Sequence, residues 1–212
     1  MARKPILLLD EGDKPVLKFS DGRKESLSHS APPEKEQIVL LIDCSASMQG
    51  DKLHKAKKGA VEFAGQAVSD GNQVGVVSFA LRALVRAPLS SNITDIARCV
   101  NDIVVEGFTN LAEGVAEACK LFTGPGPHTL VVVTDGQPIT RTSPDDREAA
   151  KTLALLAADA AKARGIKIVC VGTDDADHEF LKQIASQDVL ARHVDQERLD
   201  DGIASTYKLL TN

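Results

Sequence analysis

The chain has 212 residues and 43% hydrophobic content, enough for one domain of ordinary size, and its core must be aliphatic because there is no Trp, one Tyr and six Phe. A net charge of −5 argues against broad attraction to nucleic acid or to an anionic membrane. Cys44, Cys99, Cys119 and Cys170 form no C-x-x-C pair and have no partnering His, which argues against zinc and reads as reduced, mostly buried thiols in a reducing compartment.

Residues 5 to 20 read as a β-hairpin, with strands Pro5 to Leu9 and Val16 to Phe19 around a Glu11-Gly12-Asp13 turn. Ile6 to Leu9 is too short for a signal peptide or a membrane span, and Asp10, Glu11 and Asp13 follow at once, so the expected location is cytoplasmic. A second turn signal, Asp21-Gly22, leads into a polar stretch from Arg23 to Gln37 that reads as a linker. This divides the chain into 1–36, hairpin and linker, and 37–212, the main domain.

Ile38 to Ile42 is the first core strand. Asp51 can cap a helix to about Ser69, whose Leu53, Ala56, Ala60, Phe63, Ala64 and Ala67 share one face. Its Lys52, Lys55, Lys57 and Lys58 read as a solvated face. Gln73 to Phe79 is a strand, with Leu81 to Arg86 as its hairpin partner. Thr94 can cap a helix through Val105, and a second helix runs from Leu111 to Phe122. His128 to Thr134 is a strand, Pro138 to Pro144 an exposed loop, and Asp145 starts a long helix to Arg164. Ile166 to Gly172 is a further strand, and Asp177 caps a short helix to Ala185. Val189 to Val194 and Gln196 to Leu210 close the chain as strand and helix. The acidic stretch from Asp174 to Asp201 reads as a solvated end. Such alternation gives a mostly parallel, doubly wound sheet with helices on both faces and one antiparallel edge strand.

Three segments place oxygen ligands at the carboxyl edge of that sheet. The first strand runs into Asp43-Cys44-Ser45-Ala46-Ser47. The loop Gly107-Phe108-Thr109-Asn110-Leu111 brings a hydroxyl. The His128 strand ends in Asp135-Gly136. Ligands of open α/β sheets bind at strand carboxyl ends where strand order reverses. If Asp43 and Asp135 end neighbouring strands, about 5 Å apart, a cation between them relieves their repulsion. Two carboxylates and three hydroxyls form a hard-oxygen shell suited to Mg²⁺; the side chains alone do not separate it from Mn²⁺ or Ca²⁺. A hydroxyl-rich shell leaves the ion electrophilic and open to a carboxylate from outside.

These residues resemble the von Willebrand factor type A family and its metal-ion-dependent adhesion site. The family's D-x-S-x-S stands as Asp43, Ser45 and Ser47, its G-x-T-N-L as Gly107 to Leu111 with Thr109, and its T-D-G as Asp135. The likeness covers about Gln37 to Leu210. It implies a Rossmann-like sheet, direct ligation by Ser45, Ser47 and Thr109, and Asp43 and Asp135 acting often through water. It further implies a protein partner that donates a Glu or Asp to the metal; the net charge argues against nucleic acid or membrane as partners, and oligomeric state stays open. Intracellular members often serve as adaptors beside AAA+ ATPases or in stress and conflict systems. The last helix, Gln196 to Leu210, is a candidate switch element by the same resemblance.

Two other readings compete. A metal-dependent hydrolase or phosphoryl-transfer enzyme would use the same site, with Asp175, Asp177 and His178 near the ion. No phosphate loop or nucleophile elbow accompanies them, so the expectation is a non-enzyme with no catalytic residues. An extracellular adhesin deprived of its leader is the other.

Overall fold

The computed structural model describes residues 6–9, 15–19, 21–26, 35–136, 138 and 147–211. The chain separates into two compact units, Met1–Glu34 and Lys35–Asn212.

The first unit contains a three-stranded antiparallel sheet of β1 (Ile6–Leu9), β2 (Pro15–Lys18) and β3 (Lys24–Ser26), in the order β1-β2-β3. The two expected hairpin strands are its first pair, with Leu7 opposite Leu17. Their turn at Glu11 to Asp13 lies outside the described residues. The stretch read as linker instead supplies β3, because the Asp21-Gly22 turn reverses the chain. Gly22 has φ +86°, and the Asp21 carboxylate accepts from the Arg23 backbone at 3.1 Å and from its guanidinium at 2.7 Å. Those bonds to Arg23 hold the Asp21 carboxyl below its ordinary range.

The second unit is a six-stranded sheet. Its elements run β4 (Gln37–Asp43), α1 (Asp51–Ser69), β5 (Gln73–Phe79), β6 (Ala83–Ser90), α2 (Ile93–Asn101), α3 (Leu111–Leu121), β7 (His128–Thr134), α4 (Arg147–Ala163), β8 (Ile166–Gly172), α5 (His178–Ile184), β9 (Ala191–His193) and α6 (Leu199–Thr211). Strand order is β6-β5-β4-β7-β8-β9, parallel except for β6 against β5. Two register shifts interrupt the β5–β6 ladder between Val74 and Val77.

Alternation along β4 sends Ile38, Leu40 and Ile42 to one face, with α1, α2 and α6, and Val39 and Leu41 to the other, with α3, α4 and α5. All five are fully buried, as befits a parallel strand covered on both sides. Strand order reverses beside β4. The chain leaves it rightward to β5 and later returns to its other side with β7, so Asp43 and Asp135 follow neighbouring strands.

The helix on α1 buries the expected face and adds Gly59 to it. The cap is Gly50, at φ +82°, and Asp51 is the first helical residue. Asn92, and not Thr94, caps α2, since its side chain accepts from both Thr94 and Asp95 amides; the helix ends at Asn101, short of Val105. β6 runs past Arg86 to Ser90. The expected last strand is shorter, because Asp188–Leu190 forms a 3₁₀ turn with Val189 76% exposed before β9 begins. A second such turn, Gln196–Arg198, precedes α6. Asp145 and residues 139–144 lie outside the described residues, and Pro138, expected in an exposed loop, is buried.

The lysines of α1, expected as a solvated face, are exposed at Lys58 and half-buried at Lys52, Lys55 and Lys57, and they also reach neighbouring elements. Lys58 pairs with Asp200 at 2.6 Å, Lys57 donates to the Asn101 carbonyl at 2.9 Å, and Lys55 donates to the Gln196 carbonyl at 3.4 Å. Lys52 reaches the sheet edge. Their long stems let the charges cross to neighbouring elements. The acidic stretch is correspondingly paired at several points, including Asp177 with Lys151 at 2.8 Å.

Candidate metal centre

Asp43 is the last residue of β4, and its carboxylate is wholly buried. The chain turns back on it at once. Ser45 N–H donates to Asp43 Oδ1 at 2.8 Å, an Asx-type turn that aims the Ser45 side chain over the strand end. The other oxygen, Oδ2, accepts from Thr134 Oγ1 at 2.6 Å across the β4–β7 boundary. Burial pushes the Asp43 carboxyl up to about 6, against the lowering effect of its bonds from Ser45 and Thr134, and the nearby Asp135 adds to the rise.

Ser45 opens a 3₁₀ turn, Ala46–Met48, that is anchored by the fully buried Met48. This turn sets Ser45 and Ser47 side by side, Oγ to Oγ at 3.0 Å. Ser47 Oγ in turn donates to Asp135 Oδ1 at 2.7 Å. Asp135 is buried directly after β7. The structure therefore brings Asp43, Ser45, Ser47 and Asp135 together as a run of hard oxygens at the carboxyl ends of β4 and β7.

Thr109 reaches the same edge through its loop. Glu106 N–H donates to the Cys44 carbonyl at 2.7 Å, and Asn110 N–H donates to the Ala80 carbonyl at 2.8 Å, which pins the loop beside the ends of β4 and β5. Thr109 is buried, yet among the described residues its hydroxyl makes no hydrogen bond to the other four. Asn110 caps α3, accepting from Glu113 N–H at 3.3 Å, and Leu111 is buried in the core below. Phe108 takes φ +24°, a sparsely populated value for a residue with a Cβ, immediately before Thr109.

Two residues of this centre escaped the sequence reading. Thr134 fixes the second Asp43 oxygen; its place at the end of an apolar strand before Asp135 was the available signal. Lys52 Nζ lies 2.6 Å from Asp135 Oδ2 and 2.8 Å from Asp175 Oδ2. Burial acts to lower the Lys52 ammonium, but its bonds to Asp135 and Asp175 win and hold it above its ordinary value. The same lysine holds the Asp175 carboxyl down.

The residues proposed as a base for an enzyme point elsewhere, apart from Asp175. Asp177 caps α5 through Phe180 N–H at 3.1 Å and pairs with Lys151. His178 Nε2 contacts His193 Nδ1, whose other nitrogen lies 2.7 Å from Asp174. Cys44 turns its thiol away from the oxygens, donating to the Phe79 carbonyl at 3.3 Å. Burial pushes that thiol up to about 11, which disfavours the nucleophilic thiolate.

Removing the Thr134 hydroxyl isosterically tests the construction of the site. In Thr134→Val the Asp43 carboxylate loses a charge-assisted hydrogen bond in a buried setting. We expect the metal-free protein to lose about 2 kcal/mol at pH 7, read from urea midpoints in EDTA. An unchanged midpoint would show that the bond contributes nothing.

Residues 37–203 match the von Willebrand factor type A domain. The chain belongs to that family. A "UPF0353 protein" from Mycolicibacterium gilvum (strain PYR-GCK) is 26% identical over 184 residues, covering 73% of this chain and 53% of that protein. The chain thus spans about half the length of the curated relatives it matches. Among solved structures, the von Willebrand factor domain of a type V pilus tip protein from Porphyromonas gingivalis aligns with TM-score 0.76 at 11% identity, over 85% of this chain and 96% of that one. The pilus adhesin SpaC from Lactobacillus rhamnosus GG aligns with TM-score 0.71 at 14% identity, over 97% of this chain and 36% of that one. At these identities the structures establish the type A fold alone. In this type A domain the D-x-S-x-S turn, the threonine loop and the second aspartate all lie at the edge where strand order reverses.

Proposed function

We propose that this von Willebrand type A domain is a Mg²⁺-dependent protein-interaction module, with no catalytic role for its metal centre. The observation that carries the reading is the run of hydrogen-bonded oxygens from Ser45 through Ser47 to Asp135, beside the buried Asp43. The donor set fits a hard divalent cation. It offers only oxygens, two of its members are buried carboxylates, and a positive charge already lies against one of them. Thr173 Oγ1, just past the end of β8, is buried without a hydrogen-bond partner among the described residues and gives the same edge a spare polar atom.

Asp43, Ser45, Ser47, Thr109 and Asp135 would hold the ion. When bound, it supplies an electrophilic position for the carboxylate of a Glu or Asp on a protein partner. The chain's part is to orient: Thr134 and the Ser45 amide aim Asp43, and the Met48-anchored turn aims the two serines. Mn²⁺ and Ca²⁺ are alternative ions for the same shell. The four free thiols, three of them buried, support a reducing, cytoplasmic setting.

The test is retention of partners from native lysate by the wild type in Mg²⁺, by the wild type in EDTA, and by Asp43→Ala. A protein retained only in the first condition supports the proposal. Its identity would also show whether the AAA+ ATPases or stress and conflict systems suggested by the resemblance are the setting. Partners indifferent to both EDTA and the substitution would sink it.

A further inference from the structure

Lys52 is the second residue of α1, so it follows directly on the turn that carries Ser45 and Ser47. Its side chain is only 14% exposed, and its ammonium bridges two carboxylates of opposite character. The Asp135 side chain is 0% exposed, with its other oxygen already accepting from Ser47, whereas the Asp175 side chain is 66% exposed. A buried carboxylate needs a neutralising charge, because leaving one member of a buried pair unpaired is strongly destabilising. An exposed carboxylate has water for that purpose. Asp175 therefore has no need of Lys52, yet already holds the same ammonium at 2.8 Å, so Lys52 can let go of Asp135 without losing its other partner. Lysine suits such a role, being a compact charge on a flexible four-carbon chain.

A divalent ion held by Asp135 and an ammonium held by the same carboxylate repel each other. We propose that Lys52 is a tethered counter-cation: it neutralises Asp135 while the metal is away, withdraws to Asp175 when a divalent ion arrives, and so competes with the metal and sets its affinity. This rests on the metal-binding reading above and adds the element that regulates it. The cost to affinity follows from population. If the ammonium leaves Asp135 free in only a small fraction of metal-free molecules, apparent affinity falls to that fraction of its intrinsic value.

The experiment is titration of the purified full chain with Mn²⁺ alone, followed by electron paramagnetic resonance, for the wild type, Lys52→Met, Asp175→Asn and Asp43→Ala. Lys52→Met is expected to tighten Mn²⁺ binding roughly tenfold or more, since the competitor is gone. It should also lower the melting temperature in EDTA while leaving a larger upward shift on adding Mn²⁺. Asp175→Asn keeps the buried pair intact and is a conservative surface change. It is expected to weaken Mn²⁺ binding severalfold, because the ammonium loses the carboxylate to which it withdraws. A lysine that merely props up the site would give weaker binding on removal, the opposite sign. Unchanged or weaker binding by Lys52→Met, with the wild type binding and Asp43→Ala not, overturns this inference and leaves the metal site standing. Absence of binding by both the wild type and Lys52→Met overturns both.

Discussion

Asp43→Asn is expected to make the metal-free protein more stable at neutral pH, by up to about 3 kcal/mol, while abolishing its response to Mg²⁺. The carboxyl is raised to about 6 in the fold and titrates near 3.8 when unfolded. The folded state therefore holds the proton more tightly. Its contribution to stability is fully present below about pH 4 and is lost as pH rises through about 6. Above that, the metal-free wild type carries a buried carboxylate whose hydrogen bonds from Ser45 and Thr134 do not offset its desolvation. Asparagine keeps an acceptor for the Ser45 amide and carries no charge. Asp175, Asp177 and Asp200, each lowered first by a hydrogen bond from a lysine, act in the opposite sense, since their contribution is lost as pH falls through their folded values. The difference between wild-type and Asp43→Asn urea curves in EDTA, measured from pH 4 to 8, cancels those groups. A flat difference would show that Asp43 is not perturbed. In excess Mg²⁺ the order should reverse, because binding to the folded wild type alone stabilises it by mass action.

The second large effect comes from one substitution made at two places on α1. A Cβ at Gly59 would lie 2.6 Å from the Asp200 carbonyl oxygen and 2.9 Å from its Cα, both backbone atoms of α6. Neither can swing aside, so Gly59→Ala must push the helices apart. We expect a loss of about 2 to 3 kcal/mol, the usual cost of overpacking, which outweighs the gain in helix propensity. At Gly65, six residues on, nothing lies within 4 Å of the added Cβ. There Gly65→Ala should gain about 0.5 to 1 kcal/mol by restricting the unfolded chain. Urea denaturation of both variants decides the matter. Equal effects at the two positions would mean that α1 and α6 are less closely apposed than the structure has them.

These cases show what the residue pattern could and could not disclose. Gln73–Phe79, His128–Thr134 and Ile166–Gly172 match their expected bounds because each is an apolar run closed by turn residues. The last strand does not, because Val189 looks like strand and lies in an exposed turn before β9. At α2 the expected cap, Thr94, gives way to Asn92 two residues earlier, whose side chain accepts from the Thr94 and Asp95 amides. The oxygens of the centre were legible since each follows a strand end or sits in a loop of distinctive composition. The role of Lys52 was not, since it rests on a contact 83 positions away in the chain, and Thr134, though marked by its place before Asp135, meets Asp43 91 positions away. A lysine among four on one helix has no local mark to set it apart. Gly59 likewise reads as a helix blemish until the facing backbone is known.

The two flanking strands of the six-stranded sheet carry a consequence for self-association. A long, regular outer strand is a template on which other chains can stack into aggregates. Neither flank offers one. β9 is only three residues long, and β6 is thrown out of register twice and includes Pro88, which has no N–H to give. Within this unit the sheet is thus poorly suited to growing sideways. Adding a strand at either flank of this sheet gains little.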